Sequence, residues 1–229
     1  MSAQFGLDLG SFSIKAVELK KKGQDYKLLT LGEIKTPVNL NSQAKSDKIT
    51  IANAIKKLVG EAKISTNQVV FSLAETDVFT QVVDFPYLSK TELAAAIDFE
   101  AEQYVPVPLS EVKLEYLVIS SQPTGQDKSM KVLLIAARQS AIDHFIELIE
   151  LAGLQPIALE TQVLALTRLV NSIFGKGNFM LLELGHSVSN IVVIQDHKII
   201  LTRTLKTGGE AFTRAVASEL SMELIQGAI

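Results

Sequence analysis

The sequence predicts an α/β protein in which one lobe occurs twice and a smaller α+β unit is inserted into the first copy. The first observation is a repeat, because FGLDLGSFSIKAVEL near the N-terminus returns as MLLELGHSVSNIVVI from Met180. The second is the order of strand and helix patterns, which is that of mixed sheets covered by helices. The third is a β-α-β-β-α pattern over residues 78–154 that interrupts this order.

Composition narrows the class of protein. The chain has 229 residues, 47% of them hydrophobic, which suits one large domain or two small lobes. Cysteine is absent, so disulfides and thiolate metal sites are excluded, and we expect a cytoplasmic protein. The net charge of −3 offers no basic surface for nucleic acid. Apolar runs such as VLLIAA have strand length and no signal-peptide pattern is present, so we expect no membrane-spanning element.

The first lobe is predicted to begin with three strands, at 5–10, 13–20 and 26–35. Their apolar residues alternate, as expected of strands with one buried face. Apolar residues then recur at helical spacing in SDKITIANAIKKLVGEA. QVVFSLA follows as a fourth strand, so the lobe is predicted to be a mixed sheet with a crossover helix.

The insert is predicted to contain three strands, DVFTQVVDF, KLEYLVIS and KVLLIAA, and two helices. Its first helix has a strong start, because Ser89 can cap it and Glu92 can complete a capping box. Leu88 and Leu93 are spaced as a hydrophobic staple. We expect the helix to run to Tyr104, where the prolines of VPVP end it.

The second insert helix is predicted to be capped by Ser140 and to end at Gly153, with His144 on its surface. A strand in QPIALE and a helix over 161–174 return the chain to the first lobe. Three more strands, FMLLELG, SNIVVIQ and KIILTRTLK, and a helix in TGGEAFTRAVASEL follow. The predicted domains are a first lobe of 1–77 with 155–175, an insert of 78–154 and a second lobe of 176–229.

The repeat places an acid-x-Gly turn twice, with Asp8 matching Glu183 and Gly10 matching Gly185. Glycine lets the backbone approach a ligand closely, and nearby N–H and Ser hydroxyl groups can hold phosphate oxygens. A strand-end carboxylate can hold the water shell of Mg²⁺, and Lys15 can reach a phosphate. The alternative is two ordinary hairpin turns, but duplication of the flanking strands favours two lobes that clamp a phosphate ligand.

These loops carry a family resemblance. LDLGSFSIK and LELGHSVSN resemble the two phosphate loops of the actin-like ATPase superfamily, whose lobes have the ribonuclease H-like fold. The insert stands where the cell-division protein FtsA has its extra subdomain. More closely, AIDFEAEQYVPVPLSEVKLEY, LLIAARQSAIDHFIELIELAGLQPIALE and TLKTGGEAFTRAVASEL are similar to the PilM family of type IV pilus assembly proteins. This resemblance covers essentially the whole chain.

The resemblance implies ATP and Mg²⁺ as ligands, with Asp8 and Glu183 holding the metal through water. The implied nucleotide-binding residues are Asp8, Gly10, Ser11, Phe12, Ser13, Lys15, Glu183, Gly185, His186, Ser187, Gly208 and Gly209. One of Glu160, Thr161 and Gln162 is expected to face a water beside the nucleotide. The family also implies a partner, the cytoplasmic N-terminal peptide of a PilN-like membrane protein, which would hold the chain at the inner face of the cell membrane. The implied wall of that peptide site is Tyr104, Val105 and Pro106.

Two departures from the superfamily qualify these expectations. Glu183 stands where Asp is usual, and its extra methylene displaces the carboxylate by roughly 1 Å, which is enough to impair catalysis. We therefore expect weak or absent ATPase activity and assign no catalytic residue. The chain also ends after the first helix of the second lobe, so that lobe is expected to be truncated. The alternatives are an FtsA-like division protein or a small-molecule kinase, which would need a carboxylate base in a substrate cleft.

Overall fold

The computed structural model describes residues 3–23, 25–122 and 129–223. Backbone contacts divide the chain into two compact units, Met1–Ala165 and Leu166–Ile229. The helices and strands are β1 (Phe5–Leu9), β2 (Ser13–Lys22), β3 (Asp25–Lys35), α1 (Lys45–Glu61), β4 (Gln68–Leu73), β5 (Val78–Pro86), α2 (Lys90–Ala101), β6 (Val112–Gln122), β7 (Ser129–Arg138), α3 (Gln139–Leu151), β8 (Gln155–Thr161), α4 (Gln162–Phe174), β9 (Asn178–Leu184), β10 (Ser189–Gln195), β11 (Lys198–Leu205) and α5 (Gly209–Glu219). Their order and types are those predicted from the sequence.

The first unit contains a five-stranded mixed sheet in the order β3-β2-β1-β4-β8. β1 pairs antiparallel with β2 and parallel with β4, and β4 pairs parallel with β8. Helix α1 buries Ile51, Ile55 and Leu58 and contacts β2 and β3. Gly32 makes this close approach possible, because a Cβ at that position would lie 2.8 Å from Cδ1 of Leu58.

Strand β1 explains the position of the first acid-x-Gly turn, which follows the carboxyl end of this strand. Phe5, Leu7 and Leu9 are buried on one face, so the side chain between the last two, Asp8, lies on the other face. The strand then ends, and the backbone turns back into β2. An acid is thereby held at the carboxyl end of a central strand.

The insert forms a separate three-stranded sheet in the order β5-β7-β6. Helix α2 packs on it through Leu93, Ile97 and Ala101, which share a core cluster with alternate residues of β5 and β7. The predicted capping box is confirmed, since the Ser89 hydroxyl accepts from the Glu92 N–H and the Glu92 carboxylate accepts from the Ser89 N–H. The helix ends at Ala101, not at Tyr104, and turns fill the interval.

Helix α3 differs from the prediction in where it starts, in what it packs against and in the burial of His144. Arg138 occupies the N-cap position without a side-chain hydrogen bond, so Ser140 is not the cap. The helix contacts α1 and β8 as well as β7, so it packs on the first sheet and not only on the insert. His144 is 5% exposed and its Nε2 lies 2.7 Å from the carbonyl oxygen of Leu40, so the prediction of a surface histidine was wrong. Gly153 has φ +79°, as expected of a helix-ending glycine.

The second unit contains an antiparallel sheet in the order β11-β10-β9, followed by α5. Leu182 and Leu184, the repeat counterparts of Leu7 and Leu9, are 52% and 63% exposed, whereas the first pair is buried. In the strand order, β9 is an edge strand, whereas β1 is flanked by β2 and β4. None of the helices in the described ranges combines the length and the apolar character needed to span a membrane.

Candidate phosphate-binding loops and partner surface

The first loop begins with a pair of opposite charges. Asp8 on β1 and Lys15 on β2 are direct partners in the antiparallel register. Oδ2 of Asp8 lies 3.6 Å from Nζ of Lys15, with 41% and 54% of the two side chains exposed. Because both groups are in contact with water, the pair contributes little to stability. The Lys15 ammonium group is exposed beside the loop, and its contact with a phosphate stays a prediction.

Gly10 gives this loop its tight turn. A Cβ at Gly10 would lie 2.6 Å from the carbonyl oxygen of Ser13, a contact that a larger residue cannot make without shifting the loop. Thr36, just after β3, fixes the same loop, because its hydroxyl donates to the Gly10 carbonyl and its N–H donates to the Phe12 carbonyl. Two hydrogen bonds from Thr36 thereby tie the backbone of 10–13 to the end of β3.

The predicted residues of this loop do not all face outward. Ser11 and Phe12 are exposed, and Nζ of Lys35 lies 6.0 Å from the centroid of the Phe12 ring. Ser13 is only 5% exposed, so it begins β2 inside the protein. The structure thus brings Asp8, Ser11 and Lys15 to the surface and leaves Ser13 as a buried neighbour.

The carboxyl ends of three parallel strands, β1, β4 and β8, bring further polar residues close to Asp8. In the register, Asp8 of β1 pairs with Ser72 of β4, and Ser72 pairs with Glu160 of β8. Nε2 of Gln162 donates to Oδ1 of Asp8 over 3.3 Å. Of Glu160, Thr161 and Gln162, the structure shows Gln162 in contact with Asp8. Which of the three faces a water beside a nucleotide stays a prediction. The carboxyl ends of parallel strands are where α/β proteins bind ligands.

The second loop repeats this arrangement with different chemistry. Glu183 on β9 is the register partner of Asn190 on β10. Nδ2 of Asn190 donates to Oε2 of Glu183 over 2.7 Å, and its Oδ1 accepts from the Thr204 hydroxyl over 2.9 Å. Asn190 is 1% exposed, so a buried amide replaces the exposed lysine of the first loop. The acid of the second loop is therefore anchored by a neutral group.

Gly185 and Gly208 shape the second loop. A Cβ at Gly185 would lie 2.7 Å from the Val188 carbonyl oxygen, which matches the geometry of Gly10. A Cβ at Gly208 would lie 2.4 Å from the His186 carbonyl oxygen. The Gly209 N–H donates to the Gly185 carbonyl over 2.8 Å. These contacts give Gly208 and Gly209 a role in holding the loop against α5, and their contact with a nucleotide stays a prediction.

Two charged residues that sequence reasoning missed, Glu210 and Arg214, lie near the start of α5. Nε2 of His186 is 3.6 Å from Oε2 of Glu210, and Nε of Arg214 donates to Oε1 of Glu210 over 3.0 Å. The hydrogen bonds from Arg214, its positive charge and the nearby His186 lower the pKa of Glu210. The spacing of Glu210 and Arg214, four residues apart on a helix, is the sequence signal for their pairing. Ser187, beside His186, is exposed.

The predicted partner surface lies where α2 ends. Val105 is 6% exposed and belongs to the core cluster of the insert, while Tyr104 packs partly against that cluster. Pro106 is exposed. An open depression at this place is lined by Glu102, Val105, Pro106, Val107, Pro108, Leu109 and Ser110. Tyr104 and Pro106 therefore remain candidates for peptide contact, whereas the Val105 side chain packs inside.

Comparison with known proteins assigns nearly the whole chain to one protein family. Residues 6–227 match the protein family described as "Type IV pilus assembly protein PilM". A solved structure described as "PilM-PilN type IV pilus biogenesis complex" superposes with a TM-score of 0.82 at 26% sequence identity. That match covers 99% of this chain and 68% of the other.

More distant structures share the fold alone. The ethanolamine utilization protein EutJ from Carboxydothermus hydrogenoformans has a TM-score of 0.58 at 13% identity, with 99% of this chain and 60% of that chain covered. The cytoplasmic domain of EpsL, an inner membrane component of the type II secretion system of Vibrio cholerae, has a TM-score of 0.57 at 11% identity, covering 98% and 77%. The predicted actin-like α/β fold is confirmed.

Proposed function

The chain belongs to the PilM family of type IV pilus assembly proteins, and from this premise we propose that it is an actin-like scaffold that binds ATP with Mg²⁺ and a PilN-like peptide. The family match over residues 6–227 carries the proposal. Support for the peptide comes from the solved PilM-PilN complex, to which this chain is 26% identical over nearly its full length. The peptide is the N-terminal segment of a membrane protein on its cytoplasmic side.

ATP is the proposed ligand of the first loop because the residues there fit a phosphate chain. The turn at Gly10 is too tight for a side chain, so the backbone itself lines the loop. Lys15 supplies a positive charge, and the half-exposed Asp8 carboxylate suits the water shell of Mg²⁺. The bound metal would neutralise phosphate charge, and Asp8, Lys15 and Gln162 would orient the ligand.

The second loop is proposed to contact phosphate as well, and the support comes from the residues of that loop alone. Gly185 repeats the close turn of Gly10, and the exposed Ser187 and the half-buried His186 are the polar side chains there. Glu183 is held by Asn190 and carries one methylene more than the usual aspartate. Weak or absent hydrolysis is therefore proposed, with the nucleotide acting as a structural ligand.

The peptide is proposed to lie along the end of α2, with Tyr104 and Pro106 as contact residues and Val105 as a supporting core residue. Tyrosine suits such a surface because it offers apolar area and a polar tip. An extended peptide can add backbone hydrogen bonds to apolar anchors in a groove of this kind. Through such a partner the chain would be held at the inner face of the cell membrane.

The three-part division into a first lobe, an insert and a second lobe is kept as a proposal. Its support is that the strands of the insert form a sheet of their own. Helix α3, which contacts α1 and β8, is the part of the insert that joins it to the first sheet.

The experiment that tests the function is a titration of the 229-residue chain with a labelled peptide from the N-terminus of its PilN-like partner. A scrambled peptide of the same composition is the control. Calorimetry with ATP-Mg²⁺ tests the nucleotide separately. Saturable binding of the native peptide alone supports the scaffold role, and equal binding of both peptides would overturn it.

A further inference from the structure

Glu75 is a buried carboxylate that belongs neither to the candidate phosphate-binding loops nor to the partner surface. It lies in the 3₁₀ turn between β4 and β5 and is 5% exposed. Oε1 accepts the N–H of Val163 over 3.0 Å, and Oε2 accepts the hydroxyl of Thr80 over 3.1 Å. One side chain thus joins the first strand of the insert to the first turn of α4.

The sheet register explains this contact. β4 and β8 run parallel with Leu73 opposite Thr161, so the residues that follow both strands lie side by side. The Thr161 hydroxyl accepts the N–H of Leu164 over 3.2 Å, and Glu75 accepts that of Val163. Two N–H groups of the first helical turn are satisfied in this way, and a negative charge there also suits the helix dipole.

The same turn carries the residue that touches the candidate site. Gln162 precedes Val163 directly, and its Nε2 donates to Oδ1 of Asp8. A shift or rotation of the first turn of α4 would therefore change the Gln162–Asp8 hydrogen bond. Burying a carboxylate costs free energy unless its hydrogen bonds offset the loss of water. The hydrogen bonds from Val163 and Thr80 provide this compensation and hold the Glu75 carboxylate in place.

We propose that Glu75 is a positioning residue for the Asp8 site, because it fixes the first turn of α4 so that Gln162 holds the Asp8 carboxylate. Thr80 ties the position of β5 to the same turn. The role of Glu75 in ATP-Mg²⁺ affinity rests on the proposed function, whereas its control of the Gln162–Asp8 contact does not.

The test is a double-mutant cycle on ATP-Mg²⁺ affinity, measured by calorimetry with the 229-residue chain. Glu75→Ala and Gln162→Ala are each expected to weaken binding about tenfold, a size typical of residues in one hydrogen-bond network. The double variant is expected to be no weaker than the worse single variant. Glu75→Gln keeps an oxygen for the Val163 N–H and should restore most of the affinity.

A matched control comes from a second buried carboxylate of the same unit. Glu18 is 2% exposed and, like Glu75, accepts a backbone N–H and a hydroxyl, in its case both from Ser65. It pairs with Phe5, at the opposite end of β1 from Asp8. Glu18→Ala is expected to lower stability and to leave ATP-Mg²⁺ affinity within about twofold of wild type, because it touches none of the groups in the Glu75 chain.

A second measurement needs no ligand. The NMR signals of the Gln162 side-chain amide should move in Glu75→Ala and in the milder Thr80→Val, and stay in place in Glu18→Ala. Unmoved Gln162 signals in a folded Glu75→Ala, or independent additive effects in the cycle, would overturn the positioning role. Moved signals in a protein that fails to bind ATP would support positioning and reject the proposed ligand.

Discussion

The carboxylate of Asp8 lies 3.6 Å from the ammonium group of Lys15, its direct partner across β1 and β2. At the corresponding place in the second unit, Glu183 receives a hydrogen bond from the buried amide of Asn190. The duplicated backbone therefore carries an ion pair in one copy and a neutral anchor in the other. The predictions that follow begin with these two pairs.

Asp8→Asn should weaken ATP binding about tenfold when Mg²⁺ is present, which corresponds to about 1.4 kcal/mol. Without Mg²⁺ the same substitution should leave ATP affinity unchanged or increase it, because it removes a negative charge near the phosphates. Calorimetry with and without a chelator measures both effects. Asp84→Asn is the matched control, since Asp84 pairs with Lys131 on the insert. A loss of affinity of equal size with and without Mg²⁺ would refute the metal role of Asp8.

Asn190→Ala should lower the free energy of unfolding by about 1–3 kcal/mol, because Glu183 and Thr204 both lose the buried amide as a hydrogen-bond partner. Urea denaturation measures the change. Thr204→Val removes only the weaker of the two contacts and should cost less. Equal stability of wild type and Asn190→Ala would show that the amide does not anchor the second loop.

Ser89→Ala should destabilise the fold by about 1 kcal/mol through the loss of the α2 cap. Hydrogen bonds from Ser89 lower the pKa of Glu92 below its usual 4.5. The contribution of Glu92 is therefore present above pH 4.5 and is lost as the pH falls through the lowered folded pKa. Thermal unfolding of wild type and Glu92→Gln from pH 7 to pH 3 should show the two stabilities converging at the acid end. Parallel curves would contradict this account of the capping box.

Burial raises the pKa of Asp77 above 3.8, although the charges of Arg138 and His144 oppose the rise. The folded protein then binds this proton more tightly than the unfolded chain, so the contribution of Asp77 to stability falls as the pH rises from about 3.8 through the folded pKa. Asp77→Asn should remove that decline and be more stable than wild type at neutral pH. Urea titrations at pH 3.5 and pH 7 measure it, and lower stability of Asp77→Asn at pH 7 would show that the attraction of Arg138 outweighs burial.

Tyr104→Ala should weaken binding of the PilN-like peptide by about 1–2 kcal/mol if the end of α2 is the contact surface. Val105→Ala serves as a contrast, because Val105 is a core residue and its truncation should cost stability before affinity. Fluorescence anisotropy of the labelled peptide gives the affinity, and a thermal melt gives the stability. Unchanged affinity in a folded Tyr104→Ala would move the peptide site elsewhere.

The sequence by itself determined the order and type of the elements, the capped start of α2 and the equivalence of the two loops. These features are local, since alternation, helical spacing and capping residues act within a few positions along the chain. The repeat added one inference about residues far apart in the chain: Asp8 and Glu183 stand in matching strands, so they occupy equivalent positions. The family resemblance supplied the actin-like fold and the proposal of ATP and Mg²⁺ as ligands.

Tertiary structure alone decided which residues meet. It selected Gln162 as the partner of Asp8, buried His144 against Leu40, and placed Glu75 between Thr80 and Val163. Each of these contacts joins elements through strand register and helix packing, and a shift of one residue would turn the side chains to the opposite face. Local pattern does not fix such a register, so the acids and glycines of the site are visible in the sequence, while their anchors follow only from the packed sheet.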